Sequence, residues 1–183
     1  MNRASGMPLE IEVGLVIPDN VAFTAASALR GQGDREIERI ERTQLYRLEL
    51  DGPGESVEGV TAAFRRAEIV FNPNKHRIWC LAEVVEVDLG RPEFEAVVSD
   101  RDDDTTRLVA LLRQHFGMRE LRRLGRATAW KLFERDGPAS KERLEWACRA
   151  LLCNVHSQTA VVRRRPERIE VGETARPASN ARI

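Results

Sequence analysis

The feature that most narrows what this 183-residue chain can fold into is an internal repeat. The stretch Ile37–Asn72 is followed by a second, Leu121–Asn154, with the same order of landmarks. Tyr46-Arg47-Leu48 is matched by Trp130-Lys131-Leu132, Asp51-Gly52-Pro53 by Asp136-Gly137-Pro138, and Ile69-Val70-Phe71-Asn72 by Leu151-Leu152-Cys153-Asn154. Upstream of each strand, Arg35-Glu36-Ile37-Glu38-Arg39-Ile40 parallels Arg119-Glu120-Leu121-Arg122-Arg123-Leu124. The offset drifts only from 82 to 85 residues, so the chain reads as a tandem duplication.

Periodicity assigns the elements of each copy. Leu9, Ile11, Val13, Leu15 and Ile17 alternate with other residues, as in a strand with one buried face. Asp19 or Asn20 can cap a helix carrying Val21, Ala22, Ala25, Ala26 and Leu29 on one side, and Gly31-Gln32-Gly33 ends it. A charged approach from Asp34 leads into a strand at Leu45–Leu50. After the Asp51-Gly52-Pro53-Gly54 turn, Ser56 is placed to cap a helix whose stripe is Val57, Val60, Phe64, Ala67 and Phe71. Pro73 breaks it, and a third strand is expected at Ile78–Val87. Beyond Gly90-Arg91-Pro92 the order begins again: a strand at Phe94–Val98, a helix with Leu108, Leu111, Leu112 and Phe116 closed by Gly117, the Trp130 strand, a helix with Leu144, Ala147, Cys148, Leu151 and Leu152, and a last strand at Thr159–Val162. Each copy is strand, helix, strand, helix, strand. The expected fold class is α+β: two βαβαβ units of two layers, residues 8–90 and 91–163, pairing pseudo-symmetrically because three strands alone leave exposed edges and little core. Residues 164–183, rich in arginine, proline and small polar groups, read as a flexible tail.

Charge removes several classes of partner. Lysine plus arginine equal aspartate plus glutamate at 29 each, which gives no electrostatic reason to expect nucleic acid or an acidic membrane. No apolar run approaches the roughly 20 residues of a membrane span. Cys80, Cys148 and Cys153 have no CxxC spacing and are odd in number, which suits a reducing compartment; a cytoplasmic location is expected.

Chemistry is what the repeat lacks. Gly31-Gln32-Gly33 closes a helix and does not follow a strand, so it is no dinucleotide loop. Asp100, Asp102 and Asp104 could begin a calcium loop, but Thr105 and Leu111 stand where such a loop needs glycine and glutamate. His76, His115 and His156 have no second ligand at metal spacing. Trp79, Trp130 and Trp146 read as core or interface. Neither catalytic nor metal-binding nor cofactor-binding residues are expected. The best polar loop is Asn72-Pro73-Asn74-Lys75-His76-Arg77, and Asn72, Asn74, Lys75, His76 and Arg77 are the candidate partner-contact residues.

The helix end Ala28-Leu29-Arg30-x-x-Gly33, the strand Leu45-Tyr46-Arg47-Leu48-Glu49-Leu50 and the helix closing on Phe71-Asn72-Pro73 together resemble PurS, the small subunit of phosphoribosylformylglycinamidine synthase. Residues 9–88 carry the resemblance well and 94–162 more weakly, with Val155 in place of the family's proline. The family's Asp-Pro-Gln-Gly helix start is replaced by Pro18-Asp19-Asn20 and Asp102-Asp103-Asp104. The resemblance implies a somewhat ferredoxin-like unit, assembly as dimers, and a non-catalytic accessory role in purine biosynthesis. The family bridges the synthase large subunit and the glutaminase subunit of an ATP-dependent amidoligase complex and has no active site of its own. A duplicated chain would be such a dimer in one polypeptide, and homodimer formation stays open. A stand-alone PurS-like paralogue and a small-ligand-binding regulatory protein are the alternatives.

Overall fold

The computed structural model describes residues 9–51, 57–81 and 93–169. Seven elements of the first half and its neighbour follow in order: β1 (Leu9–Leu15), α1 (Asn20–Gly31), β2 (Ile37–Leu50), α2 (Val57–Arg66), β3 (His76–Leu81), β4 (Phe94–Asp100) and α3 (Thr106–His115). Then come β5 (Leu121–Glu134), the two-residue β6 (Gly137–Pro138), α4 (Lys141–Ala147) running into a π-helical turn at Cys148–Leu152, β7 (Gln158–Arg164) and β8 (Arg168–Ile169). The fold is α+β, with an antiparallel sheet of eight strands and four α-helices among the described residues.

The strand order is β7-β4-β5-β2-β1-β3-β8, with β6 beside β5, so each half contributes three strands in mirrored order around a central β2·β5 pair. That pair runs from Ile37 opposite Glu134 to Leu50 opposite Leu121. The expected short strand at Leu45–Leu50 is therefore too short. The charged approach is itself strand, because Ile37 and Ile40 bury into the core while Arg39 and Glu41 form an ion pair on the surface, with an irregularity between Ile37 and Arg39 accommodating the change of spacing. The helix expected to reach Phe71 stops at Arg66; Ala67, Val70 and Phe71 remain buried through a turn in which Ala67 O accepts from the amides of Val70 and Phe71. Apolar spacing outlasts the helix because the turn keeps the same face inward. The Gly52-Pro53-Gly54 turn, the Ser56 cap, the end of the expected third strand beyond Leu81, and the Gly90-Arg91-Pro92 break lie outside the described residues.

The sheet cannot be flat. Four residue steps from Arg164 to Arg168 span at most ~14 Å, whereas six strand spacings between β7 and β8 would measure roughly 29 Å on a plane. It curls, and the four helices cover its convex side. Two cores form there, and neither belongs to one half. The first joins α2 and α3 to Ile11, Val13, Tyr46, Leu48 and Ile78. The second joins α1 and α4 to Ala96, Val98, Trp130 and Leu132. Each half lends its first helix to the other, and β2 and β5 each run from one core into the other. Leu48 and Leu132, matched in the repeat, are both buried.

Residues 164–169, expected to belong to a flexible tail, are part of the fold. Pro166 is buried, Arg168 and Ile169 pair with Leu81 and Cys80 of β3, and residues 170–183 lie outside the described set. Arg168, within the expected tail, and Arg163 just before it find carboxylates in the concave face.

Candidate functional site

On the strands, the residues opposite the apolar positions face the concave side: Glu10, Glu12 and Gly14 on β1, Thr43, Leu45 and Arg47 on β2, Arg77 and Trp79 on β3, and Lys131 on β5. Glu12, Glu95 and Lys131 are buried there almost completely. Glu12 accepts hydrogen bonds from Thr43 Oγ1 at 2.6 Å, from Arg168 Nε at 2.6 Å, and from Lys131 Nζ. Arg163 donates to Glu95 at 2.9 Å and to Glu10 at 2.8 Å, and Arg47 also donates to Glu10. A contact between β7 and β1, four strands apart, is possible only because the sheet curls. Arg168 lies over the Trp79 ring at 4.1 Å, and Trp79 in turn lies against Gly14, where a Cβ would stand 2.9 Å from the ring. Glycine is required at that position by close approach.

The protonation of this network follows from its crowding. Burial pushes the Glu12 carboxyl up, but the hydrogen bond from Arg168, the charge and hydrogen bond of Lys131, and the Thr43 hydroxyl outweigh it and hold Glu12 down at about 2. Glu95 goes the other way: burial raises it and the Glu12 charge adds to that, more than Arg163 and Lys131 offset. Lys131 is lowered by burial and by Arg168 and Arg165, against the pull of Glu12. The stabilisation of the Glu12–Lys131 pair therefore resides on the carboxylate, which is supplied with two cations while the lysine has one close anion. Three carboxylates, Glu10, Glu12 and Glu95, face four cations, Arg47, Lys131, Arg163 and Arg168. Such a set links β1 to β4, β5, β7 and β8 across the curled sheet.

The predicted contact loop lies at the end of this sheet. Asn72 Oδ1 accepts from the Asn74 amide at 2.9 Å, and the Asn72 amide donates to His76 Nδ1 at 3.0 Å. Burial, and secondarily the Lys75 charge, lowers the His76 pKa. An imidazole accepting at Nδ1 is consistent with that direction. Asn72 and His76 thus build the turn. Asn74, Lys75 and Arg77 are exposed, and Lys75 and Arg77 have no ion-pair partner among the described residues. Arg77 lines a groove of about 480 Å3 with Gly14, Leu15, Ile17, Trp79 and Arg168.

The same turn recurs in the second half. Asn154 Oδ1 accepts from the His156 amide at 3.1 Å, and the Asn154 amide donates to Gln158 Oε1 at 3.0 Å. The helix starts match too. Arg42 Nε donates to Asp19 at 2.9 Å and Arg126 Nε to Asp103 at 3.0 Å, each pair separated by 23 residues. Asp19 also caps α1 through the amides of Val21 and Ala22, whereas Asp103 spends its second oxygen on the Arg126 amide. Gly33 and Gly117, both with positive φ, follow the C-terminal ends of α1 and α3.

Sequence reasoning placed a polar turn at Asn72–Arg77, where the structure has one, and missed the concave network. Glu10 and Glu12 alternate with apolar residues exactly as a solvated strand face does, and nothing local marks Lys131, Glu95, Arg163 and Arg168 as their partners. Among the described residues, no group of three or more histidine, cysteine, aspartate or glutamate side chains is arranged to hold a metal ion, and no helix is long and apolar enough to cross a membrane. No protein-family model matches the chain, and a search of curated proteins returned no match either.

Proposed function

We propose that the protein is a PurS-like accessory subunit without an active site of its own, a fused pair of βαβαβ units that bridges the large subunit and the glutaminase of a phosphoribosylformylglycinamidine synthase in the cytoplasm. The observation that carries this reading is the recurrence of the same side-chain bonds in both halves, Asp19–Arg42 with Asp103–Arg126 and the two asparagine turns, around a shared β2·β5 pair. Recurrence at this level supports duplication of one unit. It also supplies what a bridge needs: two related ends with different side chains. One turn presents Asn74, Lys75 and Arg77, the other Val155, His156 and Ser157. Covalent fusion removes most of the association entropy of the two units, equivalent to an effective concentration in the roughly millimolar range.

The test is affinity capture from the source organism with the wild-type chain and with the Lys75→Glu, Arg77→Glu double variant. The bridging reading expects the two synthase subunits to be recovered by the wild type and one of them to be lost by the variant, with unfolding behaviour unchanged. Recovery of neither subunit by the wild-type chain overturns it.

A further inference from the structure

Around the β1–α1 connection the surface is unusually apolar. Phe23 is 70 % exposed, Val16 47 % and Ile17 46 %, with Leu15 and Val21 also exposed within the same nine residues. Ile69, exposed too, reaches Leu15 from the other side, and the two share a smaller groove. The segment is held in place: the Val16 amide donates to Lys75 O at 2.8 Å, and Asp19 anchors the following helix to Arg42. The backbone that carries these apolar side chains is anchored at both ends.

The second half serves as an internal control. The corresponding connection has the same anchors, with the Arg101 amide donating to Ser157 O and Asp103 bound to Arg126. At the positions matching Leu15, Val16, Ile17, Val21 and Phe23 it carries Asp100, Arg101, Asp102, Thr105 and Arg107. Leu151, the match of Ile69, is exposed and apolar as Ile69 is, so the contrast lies in the β1–α1 segment alone. The scaffold therefore folds with polar residues at this corner, and the apolar set in the first half serves something other than the fold. Contiguous apolar exposure on a soluble surface marks interaction sites.

We propose that Leu15–Phe23 with Ile69 is a docking surface for a partner protein that presents an apolar side chain flanked by carboxylates. The apolar residues supply the anchor site. Charge complementarity specifies the flank on the β3 side, because Lys75 and Arg77, both exposed and without an ion-pair partner among the described residues, stand beside the patch: Lys75 through the Val16 bond, Arg77 through the groove it shares with Leu15, Val16 and Ile17. Glu68 borders the opposite edge beside Ile69. The two basic residues belong also to the bridging reading; the apolar residues do not depend on it.

The experiment uses the full chain, immobilised, against a displayed library of twelve-residue peptides, followed by titration of the selected peptides in solution. The expected selection is a leucine or aromatic residue beside aspartate or glutamate. Phe23→Ser and Ile17→Ser should each weaken such a peptide about tenfold or more, as loss of an anchor contact does. Lys75→Glu should weaken it several-fold with a reduced salt dependence, and Arg107→Ala at the control corner should leave it unchanged. No selection, or peptides insensitive to Phe23→Ser and Ile17→Ser, overturns the assignment. So does a fall in oligomeric mass caused by those substitutions, which would make the occupant a second copy. A loss of folding stability well beyond that of a surface change would make it the chain's own segment, and also overturns it. Peptide selection together with failure to capture the synthase subunits would leave the surface standing and remove the bridging role.

Discussion

Replacing Glu12 by glutamine tests what holds the curled sheet. The carboxyl is held at about 2 against an ordinary 4.5, a difference that corresponds to roughly 3 kcal/mol of folding free energy at neutral pH. Glutamine keeps the shape and removes the charge, leaving Lys131 buried with only Glu95 at 3.9 Å. Breaking a buried ion pair from one side typically costs 3–5 kcal/mol, so Glu12→Gln should lose about 3–5 kcal/mol at pH 7. The sign with pH is definite. Because the folded value lies below the unfolded one, the stability is present above about 4.5 and is lost as pH falls toward about 2. The gap between wild type and variant should shrink by about 2 kcal/mol by pH 3. Equilibrium urea unfolding followed by tryptophan fluorescence, at pH 7 and at pH 3, measures both. A loss below about 1 kcal/mol at neutral pH, or an equal loss at the two pH values, would refute the account of Glu12 as the over-compensated anion of the network.

Glu95 should behave in the opposite way: its carboxyl is raised, so its charge is a burden that lessens as pH falls through its folded value, and Glu95→Gln should cost far less than Glu12→Gln at pH 7 in the same unfolding assay. Leu48→Ala and Leu132→Ala should each cost about 2–5 kcal/mol, since both side chains are buried at matched positions; a difference of several kcal/mol between them would argue against equivalent roles. Gly14→Ala should destabilise by about 1–3 kcal/mol by displacing the Trp79 ring, and a shift in tryptophan emission should accompany it. Asp19→Ala should cost about 1–2 kcal/mol through loss of the α1 cap as well as the Arg42 pair, and more than Asp103→Ala, whose side chain accepts no amide bond from α3.

The sequence by itself determined the α+β class, the start of α1 at Asp19 and the glycines that follow α1 and α3. Those depend on local rules. An aspartate accepts amides at a helix start, glycine takes positive φ after Leu29 or Leu112, and alternation selects the buried face of β1 whatever lies beyond it. Repetition matched Leu48 with Leu132, both of them buried, and Asn72 with Asn154, each of which accepts an amide two residues on, because the same local pattern occurs twice. The Asn72 turn was legible from its polar run around Pro73, although which of its residues build the turn and which point outward was not: Asn72 and His76 are joined by a hydrogen bond that composition does not reveal.

Only the tertiary structure decided where strands end, which helix serves which core, and what the polar face of β1 does. Ile37 and Ile40 become strand because β5 offers fourteen residues of partner, a non-local fact. Exchange of the first helices between halves follows from β2 and β5 crossing from one core to the other, and no property of either half alone requires it. The concave network is the clearest case. Glu12 and Lys131 are 119 residues apart, and Arg168 lies a further 37 along the chain. A carboxylate alternating with isoleucine and valine has the same local signature whether it faces water or a lysine; curvature of the whole sheet is what brings the cations over it and turns a solvated face into a buried one.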